Sequence, residues 1–420
     1  MKVTLTPCRL KGEVVAPPSK SVGHRSIICA ALSDAPVTIY NCGESDDMTA
    51  TISNVTALGA TVERNSKTLH ITPAKRNTEN AILDCHESGS TARFMIPVAA
   101  ALGVKNATFV GSGRLPERPF EIITEALRQN GIDCSSDKLP MTISGQLKSG
   151  VFKIPGNISS QYISGLLLAL SIVPGQSRIE ITSKLESAAY VDMTLNELRA
   201  FGAEIEVFED KFTIQGKTSL TAIDRTVEGD WSQAAFHLVA GAVGGEVTVT
   251  GVDLNSLQGD KEIVELLRRF GAEITVDGNS VTAKKSSLKG IKIDASQSPD
   301  LVPILAVVAS FAEGETVIYN AERLRIKESD RLLETALRLK AFGIDVTETD
   351  DGLKIVGGKP IGAPITSAND HRIVMAFSVM AAYSKGVSTI ENAEAINKSY
   401  PLFFKDFSSL GGECNVIDNR

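Results

Sequence analysis

At 420 residues, 43% of them hydrophobic and 22% charged, the chain has the makeup of an ordinary globular protein of two or three domains. A net charge of −7 argues against a general nucleic-acid or membrane-surface binder, so any anion site must be assembled locally. The six cysteines, Cys8, Cys29, Cys42, Cys85, Cys134 and Cys414, lack C-x-x-C spacing and are expected as reduced thiols in a cytoplasmic protein, not as disulfides or a metal site.

The opening MKVTLTPCRLKGEVV has neither an apolar core nor a cleavage motif, so no signal peptide is expected. Gly, Pro or Ser interrupts the longest apolar runs, so no membrane span is expected either. Two phrases then alternate along the chain, six times each. The first is a polar turn, an almost wholly apolar helix, then Gly and a β-rich run; its copies start at Ser19, Glu87, Ser159, Asp230, Ser298 and Asn369. Helices apolar on every side must be buried on every side.

The second phrase is an amphipathic helix, a glycine and an alternating strand, clearest at Glu262–Val276. There Ile263, Leu266, Leu267 and Phe270 fall at helical spacing, Gly271 can end the helix in the left-handed conformation, and Glu273–Val276 alternates as a strand. The equivalent glycines are Gly59, Gly131, Gly202, Gly343 and Gly411. Their period of roughly 70 residues exceeds that of ordinary solenoids and suits a small βα module. Six such repeats divide most simply into two domains of three.

The polar turns carry the candidate chemistry. Lys20, Ser21 and Arg25 surround a helix start that Ser19 or Ser21 can cap, where free N–H groups and the dipole favour an anion. His24 beside them reads as a packing residue. Gly89, in Glu87-Ser88-Gly89-Ser90, permits close approach of a ligand to backbone, and the Gly111–Pro119 loop presents Arg114 and Arg118 as a flexible cationic lid. Ser159, Ser160, Gln161, Ser187 and Tyr190 supply neutral donors suited to a phosphate ester or sugar-like hydroxyls. Trp231 reads as packing. Asp300 precedes a helix start written Arg323–Arg331, in which Lys327, Glu328 and Arg331 share about one turn, and Arg372 and Lys398 follow in the last repeat.

Singly, each of these is matched by a capped helix with solvated ions. Repeats place equivalent turns at one end of their domain, however. Lys20, Arg25, Arg118, Lys327, Arg331, Arg372 and Lys398 then form a cluster that would be costly without a small, multiply charged ligand.

The stretches PPSKSVGHR, GSTARF, LPERPF, SSQYISGLLLA, SAAYVDMTL, SPDLVPILA, RIKESDR, NDHRIVMAFS and AINKSYPLFF span essentially the whole chain. In this combination the sequence resembles the 5-enolpyruvylshikimate-3-phosphate synthase (3-phosphoshikimate 1-carboxyvinyltransferase) family of enolpyruvyl transferases. That resemblance implies an α/β fold of two inverse domains, each of three βαβαββ units, joined by a two-stranded hinge with the active site in the interdomain cleft. Residues 1–17 and 228–420 would form one discontinuous domain and residues 18–227 the middle domain.

It also implies transfer of the enolpyruvyl group of phosphoenolpyruvate to the 5-hydroxyl of shikimate 3-phosphate, releasing phosphate, in the shikimate pathway to chorismate and the aromatic amino acids. Carried over by motif, Lys20, Ser21, Arg25, Ser159, Ser160, Gln161, Ser187, Tyr190, Asp300 and Lys327 correspond to the shikimate-phosphate set. Lys20, Gly89, Arg118, Gln161, Arg331, Arg372 and Lys398 correspond to the phosphoenolpyruvate set. Asp300 corresponds to the base for the 5-hydroxyl, Glu328 to the proton carrier at C3, and Lys20 to a group assisting the leaving phosphate.

The resemblance implies no metal, no organic cofactor and a monomer, and it places the chain in the glyphosate target family. Glu87 and Arg323 stand where family members often carry Asn. The sister family that uses UDP-N-acetylglucosamine has Lys-Asn where this chain has Lys20-Ser21, and a loop cysteine that is absent from Gly111–Pro119. An RNA-end-processing relative would want a basic surface, and a silent scaffold would have no use for Lys20, Asp300, Glu328, Arg331 and Lys398 together.

Overall fold

The computed structural model describes residues 1–417. The chain divides into two compact units, one formed by Met1–Pro17 with the chain from Glu228 onward, the other by Pro18–Val227. Each unit is built from three four-stranded sheets, and all six sheets share one plan: an edge strand parallel to its neighbour, then two antiparallel pairings. In one of them Asn80–Asp84 runs parallel to Asn106–Val110, which pairs antiparallel with Met141–Ser144. Alternate residues of Asn80–Asp84 are buried and exposed, as in a sheet covered on one face.

Two strands from the start of the chain complete distant sheets. Lys2–Thr6 lies antiparallel between Ser388–Glu391 and Glu413–Ile417, and Lys11–Val15 runs parallel to Glu246–Thr250. In the other unit Arg225–Thr226 supplies the edge beside Val37–Tyr40. These pairings give the fourth, sixth and first repeats strands that their own stretches of sequence lack.

The apolar phrases form the interior helices: Lys20–Ala31, Gly89–Leu102 and Ser160–Leu170 in one unit, Trp231–Gly244, Val302–Phe311 and His371–Tyr383 in the other. Tyr162 through Leu170 are buried without interruption, as are Val302 through Ser310, which an amphipathic surface helix could not sustain. Each fully buried Leu, Ile or Phe contributes about 1.5–3 kcal/mol. Trp231 is fully buried, with its indole N–H donating to the Asp253 carbonyl, a packing role.

Five of the six interior helices are capped by the side chain before them, Ser19, Ser88, Ser159, Asp230 and Asp370, each accepting a backbone N–H of the first turn. Ser19 and not Ser21 is therefore the first cap. The remaining helix enters through a 3-10 turn at Pro299–Leu301, leaving Ser298 to donate to Glu262 at 2.7 Å. At the far end of one unit, the Arg76 guanidinium donates to the carbonyls of Ala101, Ile172 and Thr218. A cation there complements the negative ends of the helix dipoles.

All six terminating glycines have positive φ, from +78° at Gly202 and Gly343 to +97° at Gly271. One expected helix start is displaced. Residues 322–326 form a 3-10 turn and Lys327 is extended, so the helix begins only at Arg331. Asp330 fixes that boundary by accepting the Leu333 N–H at 3.1 Å.

Where two interior helices cross, Gly165 allows the contact: a Cβ there would sit 2.3 Å from the Arg93 carbonyl oxygen. Gly165→Ala is expected to destabilise the protein by about 1–3 kcal/mol through overpacking, despite alanine's better helix propensity. A urea unfolding midpoint unchanged from wild type would contradict this packing.

Candidate active site

Capping aligns the interior helices so that their N-terminal turns carry the expected polar residues. In the Pro18–Val227 unit, the Lys20 ammonium lies 2.7 Å from an Asp47 carboxylate oxygen, the pair only partly exposed. Asp47 belongs to the first turn of the Asp46–Ala57 helix, whose Ser45 cap turns the acid inward. His24 is buried, with Nδ1 2.7 Å from the Thr51 hydroxyl. Burial, and then Lys20 and Arg25, hold its imidazole well below the ordinary histidine range, so it packs as a neutral ring.

Arg25 does not project outward. Its guanidinium donates to Thr194 at 2.7 Å, to the Ser21 carbonyl at 2.7 Å and to the Tyr190 carbonyl at 2.9 Å, and stacks over Phe94 at 5.0 Å. Burial lowers it to about 10, against the pull of Tyr190 and Glu197. Thr194 also donates to Ser164 at 2.8 Å. One cation thus ties together the N-terminal halves of three helices, bringing Ser21, Arg25 and Tyr190 into one network.

A second network joins the next repeats. Gln161 donates to Ser90 at 2.7 Å and accepts from Arg93 at 2.9 Å. Arg93 also lies over the rings of Tyr162 and Phe120. Arg118 belongs here as well: a Cβ on Gly89 would meet its Nη1 at 2.6 Å and Arg93 Nη1 at 2.7 Å. Gly89 therefore keeps a helix N-terminus open between two guanidinium groups. Within the Gly111–Pro119 loop, Leu115 and Arg118 are buried and Leu115–Glu117 forms a 3-10 turn. Ser159 caps the helix that begins at Ser160, whereas Ser187, at φ +52°, stands at the N-cap position of the helix that carries Tyr190 without a side-chain cap bond.

The other unit gathers its charges around one side chain. Arg331, buried, donates from Nε to Asp370 at 2.7 Å, from Nη1 to Asp300 at 3.0 Å and from Nη2 to Glu328 at 2.6 Å. Burial would lower its proton affinity, but Asp370, Glu328 and Asp300 outweigh that and raise it. Arg372 donates from Nη2 to the Asp300 carboxylate and from Nη1 to the Asp300 carbonyl, both at 3.1 Å, and Lys327 lies 3.7 Å from the same carboxylate.

Burial alone would raise Asp300. Arg372, Lys327 and Arg331 together hold it well below the usual carboxylate range, so it is an anion at neutral pH. Burial pushes Lys327 down to about 8, with Asp300 opposing. Lys398, buried at the end of a 3-10 turn, donates to the Asn369 carbonyl at 2.6 Å.

The seven expected cations thus divide, Lys20, Arg25 and Arg118 in one unit and Lys327, Arg331, Arg372 and Lys398 in the other. They are not bare: Asp47, Asp300, Glu328 and Asp370 already lie against several of them. Arg93, Ser232 and Asp370 lie in polar turns that the sequence marks, but without a role given to them, whereas Asp47 and Asp260 are not among those turns. Arg323 is buried and donates to the Ser296 carbonyl at 2.6 Å. Among the described residues no cluster of His, Cys, Asp or Glu is placed to hold a metal, and no helix is long and apolar enough to cross a membrane.

Comparison with known proteins matches this chain across its length. It is 46% identical to the 3-phosphoshikimate 1-carboxyvinyltransferase of Clostridium acetobutylicum, covering 98% of this chain and 97% of that one. To the protein of the same name from Clostridium kluyveri it is 44% identical, at 98% and 97% coverage. Among solved structures it is similar to EPSP synthase from Acinetobacter baumannii, with a TM-score of 0.82 at 28% identity over 99% of this chain and all of that one. The enolpyruvyl transferase NikO from Streptomyces tendae, 20% identical with a TM-score of 0.81, shares the fold. With residues 5–407 matching the profile of EPSP synthase (3-phosphoshikimate 1-carboxyvinyltransferase), the chain belongs to that family.

Proposed function

We propose that this chain transfers the enolpyruvyl group of phosphoenolpyruvate to the 5-hydroxyl of shikimate 3-phosphate, releasing phosphate. The observation that carries the reading is the buried cluster in which Arg331 touches Asp300, Glu328 and Asp370, with Arg372 and Lys327 also against Asp300. It combines what the reaction needs: cations for a phosphate and a carboxylate, a carboxylate to take a hydroxyl proton, and a second to move a proton at carbon.

Ser21, Arg25, Ser159, Ser160, Gln161, Ser187, Tyr190, Asp300 and Lys327, with Lys20, bind the shikimate phosphate. Gly89, Arg118, Arg331, Arg372 and Lys398, with Lys20 and Gln161, bind phosphoenolpyruvate. The enzyme acts as a cytoplasmic monomer, and its two compact units serve as its two domains.

In the addition step the 5-hydroxyl oxygen bonds to C2 while C3 gains a proton, giving a tetrahedral ketal phosphate. In the elimination step C3 gives up a proton and the C2–O bond to phosphate breaks. Asp300 takes the hydroxyl proton, Glu328 serves C3 in both directions, and Lys20 stabilises the departing phosphate. Held so low by its cations, Asp300 is a weak base before substrates arrive. Anions of phosphoenolpyruvate engaging Arg331 and Arg372 offset that positive field and raise its basicity when it is needed. Much of the rate then comes from positioning and charge neutralisation.

With no metal added, phosphate release from phosphoenolpyruvate should require shikimate 3-phosphate. Release with UDP-N-acetylglucosamine in its place would overturn the acceptor, and release with neither would overturn the reaction. Gly89→Ala places a methyl against Arg118 and Arg93 and should raise KM for phosphoenolpyruvate about tenfold or more, a loss of about 1.4 kcal/mol, while KM for shikimate 3-phosphate changes little. An unchanged KM for phosphoenolpyruvate in this variant would remove Gly89 from that pocket.

A further inference from the structure

Asp260 sits in the 3-10 turn Gly259–Glu262, only 2% exposed. One carboxylate oxygen accepts a hydrogen bond from the Ser232 hydroxyl, and the other has no hydrogen-bond partner. A buried carboxyl with an unmatched oxygen lowers stability and calls for an explanation. Capping does not provide one, because the Trp231–Gly244 helix is capped by Asp230, which accepts the Gln233 N–H at 3.0 Å.

The bonds of Ser232 give the explanation. While its hydroxyl donates to Asp260, its oxygen accepts from Arg372 Nη2 at 3.3 Å. The same Nη2 donates to Asp300 at 3.1 Å. A directional chain therefore runs from Arg372 through Ser232 to Asp260, fixing the edge of the guanidinium that also meets Asp300. When Asp300 accepts a proton its hold on Arg372 weakens, and the Ser232 contact remains.

We propose that Asp260 is a positioning residue which, acting through the Ser232 hydroxyl, holds the Arg372 guanidinium in register beside Asp300 for phosphoenolpyruvate. This rests on the reading of Arg372 as a phosphoenolpyruvate contact. The charged groups facing Asp260 are Asp300, Arg372 and Asp230. Burial, then Asp300, pushes its carboxyl up to about 6, with Arg372 and Ser232 opposing. The carboxyl is thus charged above that pH and neutral below it, where it can no longer draw the Ser232 proton as strongly.

The test is steady-state kinetics on Ser232→Ala, Asp260→Asn and the double variant. Each single change should raise KM for phosphoenolpyruvate about tenfold at neutral pH, as loss of a charge-assisted hydrogen bond does, with kcat within about threefold and KM for shikimate 3-phosphate unchanged. The double variant should be no worse than either single one, since both break the same chain. The ratio of Asp260→Asn to wild-type KM should approach one below pH about 5, a comparison in which the ligand's own ionisation cancels.

Ser232→Ala with unchanged KM for phosphoenolpyruvate would overturn the inference even if Asp260→Asn does not fold. Additive single effects, or a ratio that stays high at low pH, would also overturn it by making the effect one of packing. Arg372→Ala separates the two readings. A raised KM there, with no effect in the other variants, overturns this inference alone, whereas an unchanged KM overturns the role of Arg372 and this inference with it.

Discussion

A guanidinium buried among three carboxylates is the constraint on which the rest of this unit depends. Arg331 cannot leave water without partners, and Asp300, Glu328 and Asp370 cannot gather without a cation. Each therefore fixes the position of the others. The three acids come from separate places: Asp300 before one interior helix, Asp370 capping another, and Glu328 in the bend before Arg331. Holding them together requires that these helices begin at set positions, which the Asp370 and Asp330 caps and the 3-10 turn at Pro299–Leu301 define.

That arrangement also makes the site costly in a way that a ligand can offset. Lys327 is held below its ordinary value, so charging it opposes folding in full below about pH 8, and that cost fades only as the pH rises from there toward the ordinary lysine value. Asp300 has the opposite sign: its depressed proton affinity contributes stability above the ordinary carboxylate value, and that contribution is lost as the pH falls through the folded one. Stability and reactivity draw on the same charges here. An anion placed against Arg331 and Arg372 would offset their field and raise the proton affinity of Asp300.

Much of the local structure was legible in the sequence, because periodicity and capping act over short range. The six apolar runs could only be interior helices, and the glycines after the amphipathic helices adopt positive φ, Gly271 at +97° among them. Non-local pairings were harder to read. Nothing in KVTLT announces that Lys2–Thr6 lies between strands near the other end of the chain. At Arg323–Arg331 the run of charges resembled a helix start, and only the Asp330 cap shows where the helix begins. The cations were visible as residue types at helix starts, but their counter-charges were not. That Asp47 meets Lys20, or that Arg25 turns inward to Thr194, depends on which helices are neighbours.

The proton movement proposed for Glu328 leaves a direct isotopic trace at C3. Wild-type enzyme turning over in D2O with both substrates should place deuterium at C3 of the enolpyruvyl product, because C3 is protonated from the medium before it loses a proton. Glu328→Gln should still bind shikimate 3-phosphate while losing both turnover and this incorporation, by at least about a hundredfold, the usual size of a general acid–base contribution. Near-normal turnover and deuterium incorporation in that variant would contradict the role of Glu328, and wild-type turnover without deuterium at C3 would contradict addition and elimination at this site.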